Sequence, residues 1–281
     1  MKTADVNGVT LEYEVVGSGE PLLLISPVLA DGFLPLVSEP ALAERYQLIR
    51  YHKRGWVGST HAPGPVSVAD HVADAAALLE NLDIPRAHIA GHSTGGAVAL
   101  QLALDHADVV QSLCLLEPTL LSVPSGEGFF KAAQPAFDAY AAGRHEEAFA
   151  IFMTIASGLE WDACRTLLEK SIPGATAQAV KDADTFFGIE LPGVAQWTLT
   201  AEAGAKIRQP ALSVLGAQTQ QLWVEVSDRL RAWLPKIEDL KVEGVGHLLH
   251  IQRPTVVARG IADFLGRNAM GIELSKPRRY A

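Results

Sequence analysis

The segment Ala87-His88-Ile89-Ala90-Gly91-His92-Ser93-Thr94-Gly95-Gly96 decides how this chain folds. Its first four residues fit a buried strand, and the apolar run from Ala97 to Leu104 fits a helix. Between them lies the pattern Gly-x-Ser-x-Gly, in which the glycines let the backbone cross closely on either side of a strained serine. Such a turn exposes the serine hydroxyl above the sheet, at the positive end of the helix. The pattern predicts that Ser93 is a nucleophile; the alternative is a helix cap in a glycine-rich turn.

Strand and helix patterns alternate along the chain on both sides of this turn. The residues from Thr10 to Val16 alternate as in an antiparallel strand, whereas later runs are apolar on both faces, which is typical of strands buried between two helical layers. These runs are Leu22 to Ile25, Gln47 to Tyr51, Ser112 to Leu116 and Pro210 to Gly216, with a last strand near Lys241 to Glu243. Helical spacing is found over Val68 to Leu82, Leu222 to Leu234 and Thr255 to Leu265. The alternation predicts an α/β fold with a mostly parallel sheet.

A long helical block interrupts this alternation. Four helix patterns follow one another without a buried strand, and Gly143, Gly158 and Gly174 separate them. The four helices are predicted over Glu127 to Ala142, Arg144 to Ser157, Leu159 to Ser171 and Ala175 to Phe187. We therefore expect one core formed by residues 1–118 and 210–281, with residues 119–209 as an all-helical insertion.

Composition limits the partners of the protein. The 281 residues are 48% hydrophobic and carry a net charge of -9, with a single basic run at Lys276 to Arg279. This balance predicts a globular protein without a nucleic-acid or membrane partner, and leaves a homo-oligomer open. Cys114 and Cys164 show no metal-binding spacing, so they are expected to be free core thiols and no metal site is expected. No cofactor is expected either. Without an export signal or a long apolar run, the chain is expected to be cytoplasmic.

Three motifs resemble those of the α/β-hydrolase superfamily, in the family's order. Besides Gly91 to Gly95, the loop Tyr51 to Ser59 is similar to the family's D-x-R-G-x-G-x-S pattern, and Gly244 to His247 with Pro254 is similar to its catalytic-histidine loop. The resemblance implies an eight-stranded, mostly parallel sheet flanked by helices, with residues 119–209 forming a helical lid. Serine rather than aspartate at position 93 argues against the dehalogenase and epoxide-hydrolase branches.

The base and the acid of a catalytic triad can be sought in the same order. His247 is the expected base because it follows the last predicted strand in a glycine-rich loop, with His250 as its main rival. In most relatives the acid follows strand 7, but Gly216-Ala217-Gln218-Thr219-Gln220-Gln221 contains no carboxylate and has Thr219 at the aspartate position. The family's alternative site, after strand 6, holds Glu117, which we therefore expect to be the acid. Glu225 and Asp228 remain as alternatives.

The backbone N–H groups of an oxyanion hole can also be assigned. One donor is normally the residue after the nucleophile, here Thr94, and the other lies in the loop after strand 3. In that loop Pro27 has no N–H, which points to Val28, with Leu29 as the alternative.

The aromatic side chains of the insertion predict a hydrophobic substrate. The residues expected to line its pocket are His92, Leu29, Met153, Trp161, Phe187, Trp197 and Leu248. A weaker resemblance to zearalenone lactonases rests on Glu117-Pro118-Thr119 and implies lactone cleavage. The expected function is hydrolysis of a carboxylic ester or lactone of a hydrophobic small molecule through an acyl-enzyme. The alternatives are a catalytically weak small-molecule binding protein and a carbon–carbon bond hydrolase or perhydrolase with the same triad.

Overall fold

The sheet has the predicted architecture. A computed structural model describes residues 1–61 and 64–271, and within them eight strands form one sheet in the order β1-β2-β4-β3-β5-β6-β7-β8. The strands are β1 (Lys2–Val6), β2 (Val9–Val16), β3 (Glu20–Ile25), β4 (Tyr46–Tyr51), β5 (Ala87–His92), β6 (Val110–Leu116), β7 (Ala211–Gly216) and β8 (Ile237–Val242). All pairs from β4 to β8 are parallel, whereas β1 and β2 add an antiparallel edge. The predicted fold class is confirmed, although the sequence patterns did not indicate β1.

Helices cover both faces of the sheet. One face packs against α3 (Val68–Asn81), α4 (Thr94–Asp105) and α12 (Gln221–Trp233), and the other against α1 (Leu34–Val37), α2 (Pro40–Ala43) and α14 (Pro254–Arg267). The short helix α13 (Leu249–Gln252) precedes α14. These two layers explain why the central strands are apolar on both faces.

The chain between β6 and β7 is helical. Its elements are α5 (Gly126–Ala141), α6 (His145–Ser157), α7 (Trp161–Ser171), α8 (Ala175–Lys181), α9 (Ala183–Thr185), a π-helical turn (Phe186–Glu190), α10 (Leu191–Gln196) and α11 (Ala201–Gly204). Gly143, Gly158 and Gly174 lie between helices with φ of 73°, 72° and 83°, a conformation that glycine adopts without strain. The helix predicted over Ala175 to Phe187 is broken after Lys181. Its end differs because residues 186–190 form the π-helical turn.

Within the described ranges, every helix is too short or too polar to cross a membrane. The basic run at residues 276–279 lies outside the described residues.

Candidate active site

Ser93 occupies the sharp turn between β5 and α4. Its backbone has φ 52° and ψ -120°, a strained conformation for a residue with a side chain. A Cβ atom on Gly91 would lie 2.3 Å from the carbonyl oxygen of Gly95, and one on Gly95 would lie 2.1 Å from that of Ile25. Only glycine fits at these two crossings, which is why the Gly-x-Ser-x-Gly pattern produces this turn.

His247 lies in the loop after β8. It lines the same cavity as Ser93. The imidazole of His247 stacks on the indole of Trp223, with ring centroids 3.8 Å apart and planes 6° apart. Its other side faces the ring of His92 at 4.5 Å, and His92 Nε2 donates a hydrogen bond of 2.9 Å to the His247 carbonyl oxygen. These contacts fix the orientation of the His247 ring.

Glu117 reaches His247 from the end of β6. Glu117 Oε2 lies 2.8 Å from His247 Nδ1, and the carboxylate is fully buried. The backbone of Glu117 has φ 42°, which turns the side chain out of the strand toward the histidine loop. The other carboxylate oxygen accepts a hydrogen bond of 2.8 Å from the Gly216 N–H. A buried carboxylate in this position is stabilised by the donors that surround it.

Thr219 also contacts the Glu117 carboxylate, and the sequence did not predict this contact. Its hydroxyl donates to Glu117 Oε2 over 2.8 Å. Thr219 stands where most relatives are expected to carry the triad acid, and this position was the available signal. The alternatives for the acid lie elsewhere: Glu225 accepts hydrogen bonds from Ser125, and Asp228 pairs with Arg231.

Thr119 contacts the nucleophile candidate, whereas His250, the rival candidate for the base, does not line the cavity. Ser93 Oγ lies 3.3 Å from Thr119 Oγ1, so the hydroxyl of the serine is held at the cavity wall. His250 is completely buried between the rings of His92 and Phe33, at 4.2 and 5.4 Å. Burial lowers the pKa of His250 to about 3, which keeps the ring neutral at physiological pH. His250 therefore packs behind the site rather than facing the serine.

The expected oxyanion donors also border the cavity. Thr94 is the first residue of α4, so its N–H has no partner within the helix. Among the described residues, the N–H groups of Thr94, Val28 and Leu29 have no hydrogen-bond acceptor. All three residues line the cavity. The geometry thus leaves Val28 and Leu29 both open as the second donor.

A narrow cavity lies beside Ser93. Of the residues predicted to line it, His92, Leu29, Met153 and Leu248 do so. The apolar side chains that complete its wall are Leu121, Phe129, Phe130, Ala133, Phe137, Phe152, Ala156, Leu191 and Trp223. The walls are therefore almost entirely apolar, and the polar groups are concentrated at Ser93, His247 and their neighbours.

Three aromatic residues that were predicted to line this pocket do not line it. Trp161 packs its ring edge-on against Phe149, at the start of α7. Phe187 stacks on Tyr140 at 5.2 Å, and Trp197 donates a hydrogen bond of 2.8 Å to Gln101 on α4. These predictions were wrong because apolar spacing identifies the buried face of a helix but not the neighbour that the face meets.

The two cysteines do not line this cavity. Cys114 and Cys164 are free and buried, and burial raises the pKa of both thiols. The part of the chain that the structure describes has no group of three or more His, Cys, Asp or Glu side chains arranged to hold a metal ion.

A family model described as the alpha/beta hydrolase fold matches residues 31–254, from the loop after β3 to the start of α14. The chain belongs to the α/β-hydrolase family. The matched range includes the turn at Ser93, the end of β6 and the histidine loop.

Curated relatives of this α/β hydrolase match it over different lengths. The provisionally named carbamate hydrolase RutD of Variovorax paradoxus is 28% identical over 261 residues, which cover 92% of this chain and 96% of that protein. A fluoroacetate dehalogenase of a Burkholderia species is 33% identical over 124 residues, covering 41% of this chain and 40% of that protein. Three curated relatives match this chain over only 40 to 45% of their own length.

Solved structures of the family superpose over nearly the whole chain. The enol-lactonase from Burkholderia xenovorans LB400 has a TM-score of 0.78 and 21% sequence identity, and the superposition covers 94% of this chain and all of that one. At this identity, the likeness shows the fold of the α/β hydrolase alone.

Proposed function

We propose that this α/β hydrolase cleaves a carboxylic ester or lactone of a hydrophobic small molecule through an acyl-enzyme on Ser93. The observation that carries the proposal is the approach of Glu117 Oε2 to His247 Nδ1 at 2.8 Å, next to a serine that shares an apolar cavity with the imidazole. Nucleophilic acyl transfer requires a serine hydroxyl as the nucleophile, an imidazole as the base and a carboxylate that orients the imidazole.

Each group has one role in the proposed reaction. His247 Nε2 takes the proton of Ser93 Oγ as the oxygen attacks the substrate carbonyl carbon. Glu117 accepts the Nδ1–H of His247, which fixes the tautomer and stabilises the imidazolium. The N–H groups of Thr94 and Val28 stabilise the negative oxygen of the tetrahedral intermediate.

The second half of the reaction returns the enzyme to its starting state. The intermediate collapses, the carbon–oxygen bond to the leaving group breaks, and the imidazolium protonates the departing alkoxide. Water then attacks the acyl-enzyme, and His247 again takes a proton as the base. The imidazolium returns this proton to Ser93 Oγ as the bond between that oxygen and the acyl carbon breaks, and the carboxylic acid leaves. For a lactone, the alcohol and the acid are parts of one product molecule.

The cavity supports an uncharged, apolar substrate. Its walls are formed by side chains such as Phe129, Phe152 and Met153, and a charged group would lose its hydration there without gaining a partner. The net charge of -9 also disfavours polyanionic substrates. Both features favour a hydrophobic small molecule as the substrate. The cytoplasmic location remains a prediction.

A carbamate is the second candidate substrate. The Variovorax paradoxus relative, which is matched over 96% of its length, is provisionally named a carbamate hydrolase. Ser93 would attack the carbonyl carbon of a carbamate in the same way as that of an ester. Dehalogenation has less support, because the turn between β5 and α4 carries Ser93 and not the carboxylate that the dehalogenase branch uses.

A fluorophosphonate probe and a substrate panel test the proposal. The probe is expected to label wild-type protein and Ser38→Ala, which changes an exposed serine, but not Ser93→Ala. Aryl esters, aliphatic lactones, aryl carbamates and diketones would then be compared by kcat/KM, with esters or lactones expected to rank first. A different result would establish a binding protein. In that case wild-type protein would show neither labelling nor turnover, and it would bind an apolar ligand with the same affinity as Ser93→Ala.

A further inference from the structure

A buried ion pair lies directly behind the turn that carries the nucleophile. The carboxylate of Glu190 is bound by Lys53 Nζ and, at 2.7 Å, by the indole N–H of Trp56. It also accepts a hydrogen bond of 2.5 Å from the hydroxyl of Thr94. Lys53 and Glu190 are only 2% and 1% exposed, so water does not compete for these contacts. Three separate segments therefore meet at one carboxylate.

Glu190 reaches this position from the helices between β6 and β7. It is the last residue of the π-helical turn, and such turns are frequent at functional sites because they redirect single side chains. The same stretch is bound to the loop after β4 at two other points. Thr185 Oγ1 donates to the Gly55 carbonyl over 2.6 Å, and the Val57 N–H donates to Asp182 over 3.3 Å. The placement of Glu190 is thus supported by its neighbours.

Thr94 connects this ion pair to the reaction. Its hydroxyl donates to Glu190 and lies 3.4 Å from Lys53 Nζ, which can donate to it, so both hydrogen-bonding directions of the hydroxyl are occupied. The same residue lines the cavity, and its N–H is the first oxyanion donor of the proposed reaction. Holding the side chain of Thr94 on one side fixes where its N–H points on the other.

We infer that Glu190 is a positioning residue for the oxyanion hole, acting through Thr94, with Lys53 as its counter-charge. This inference rests on the proposed serine hydrolase function, because an oxyanion forms only if Ser93 attacks a carbonyl. It gives the inserted helices a part in catalysis besides forming the wall of the cavity. An oxyanion donor acts in the transition state, so its misplacement lowers kcat more than it raises KM.

The charge of Glu190 has to be changed together with that of Lys53. Although burial opposes ionisation, the ammonium of Lys53 holds the pKa of Glu190 below its usual range. Removing one partner would leave an isolated buried charge and destabilise the fold. Paired substitutions avoid this outcome and keep the test on catalysis.

Substitutions of Thr94 test its hydroxyl directly. Thr94→Val keeps the shape of the side chain but loses both hydrogen bonds, and we expect kcat per active site to fall about 10- to 100-fold, with KM changed less than about threefold. Thr94→Ser, which retains the hydroxyl, is expected to recover most of this loss. Active sites are counted by titration with a fluorophosphonate, so that misfolded protein does not enter kcat.

Two double variants test the carboxylate at constant charge. Lys53→Met with Glu190→Gln keeps an oxygen that can accept from Thr94, whereas Lys53→Met with Glu190→Leu does not. We expect kcat per titrated site to be at least about tenfold lower in the leucine variant, and a trifluoromethyl ketone inhibitor to bind it correspondingly more weakly. The exposed ion pair between Lys206 and Glu202 offers a control with the same residue types. Lys206→Met with Glu202→Gln should leave both kcat per titrated site and the affinity for the inhibitor unchanged.

The results separate the inference from the proposed function. Equal kcat per titrated site in the two double variants, with wild-type activity dependent on Ser93, would overturn the role of Glu190 alone. A fall in the number of titratable sites without a change in kcat per site would also overturn it, since that result indicates a structural role only. A wild-type protein that neither labels nor hydrolyses esters, lactones or carbamates would remove the proposed function itself.

Discussion

The Nδ1 atom of His247 lies 2.8 Å from Oε2 of Glu117, and this contact joins the loop after β8 to the end of β6. Strand β7 lies between these two strands in the sheet. It contributes the Gly216 N–H and, just beyond its end, the Thr219 hydroxyl, which both donate to the carboxylate over 2.8 Å. The Glu117 carboxylate thus comes from the end of one strand and is held in place by donors from the next.

Replacing Glu117 by glutamine should remove the proposed acid with little change in shape. Glutamine cannot stabilise the imidazolium, and its amide group can hold the wrong tautomer of His247. We expect kcat for an aryl ester to fall by about 10³- to 10⁴-fold, with a small change in KM. Steady-state kinetics, normalised to sites titrated with a fluorophosphonate, would measure this loss.

Glu225→Gln and Asp228→Asn are the matched controls for this substitution. Both carboxylates bind other partners, Ser125 and Arg231, and both variants should retain wild-type kcat. A large loss in either control, with Glu117→Gln remaining active, would move the acid to the helix after β7.

Ala133 should limit the size of the group that the cavity accepts. It lies on α5 with its side chain at the cavity wall, and Ala133→Leu would fill part of the space that a long acyl chain needs. We expect kcat/KM for a p-nitrophenyl octanoate to fall by about tenfold relative to that for the acetate. Ala132→Leu makes the same change at an exposed position of the helix and should leave the chain-length profile unchanged. If both variants show the same dependence of kcat/KM on acyl-chain length, the acyl chain of the substrate binds elsewhere.

Much of the site could be predicted from sequence because its chemistry depends on local turns. The strained backbone of Ser93 requires glycine at two crossings, and a carboxylate that ends a buried strand, such as Glu117, needs a nearby partner. In the structure the Glu117 carboxylate contacts His247, and Ser93 and His247 line the same cavity. The order of strands and helices followed from apolar periodicity, which is also local.

Contacts between distant segments could not be predicted in this way. Lys53 and Glu190 are 137 residues apart in the sequence. Lysine and glutamate are usually exposed at protein surfaces, so neither residue alone indicates a buried ion pair. The false prediction for Trp197 has the same origin, because its partner Gln101 lies on a helix of the core. Pairing across segments depends on how helices dock, which the sequence pattern of one helix does not specify.

Histidine 71 should make the fold sensitive to acid. Burial lowers the pKa of His71 to about 4, and neither of its ring nitrogens has a hydrogen-bond partner among the described residues. The unfolded chain binds this proton near pH 6.5, so the contribution to stability is complete above that pH and is lost as the pH falls toward 4.

A leucine at position 71 should therefore flatten the dependence of stability on pH. Between pH 6 and 5, we expect His71→Leu to reduce the slope of the unfolding free energy by roughly 1 kcal/mol per pH unit, measured by urea denaturation. His61→Leu changes an exposed histidine and serves as the control. A slope unchanged from wild type in His71→Leu would show that His71 is protonated in the folded protein.

Thr219 offers a way to move the acid from β6 to β7. Its Oγ1 lies 2.8 Å from Glu117 Oε2, the oxygen that approaches His247, so a carboxylate at position 219 can come close to the same imidazole. In the Glu117→Gln background, we expect Thr219→Asp to raise kcat at least about tenfold above that of Glu117→Gln alone. Thr219→Asn, with the same shape and no charge, should restore nothing. In the wild-type background Thr219→Asp should lower kcat, because two adjacent carboxylates disfavour each other's ionisation. Equal kcat for the aspartate and asparagine variants would show that the end of β7 cannot supply the acid in this fold.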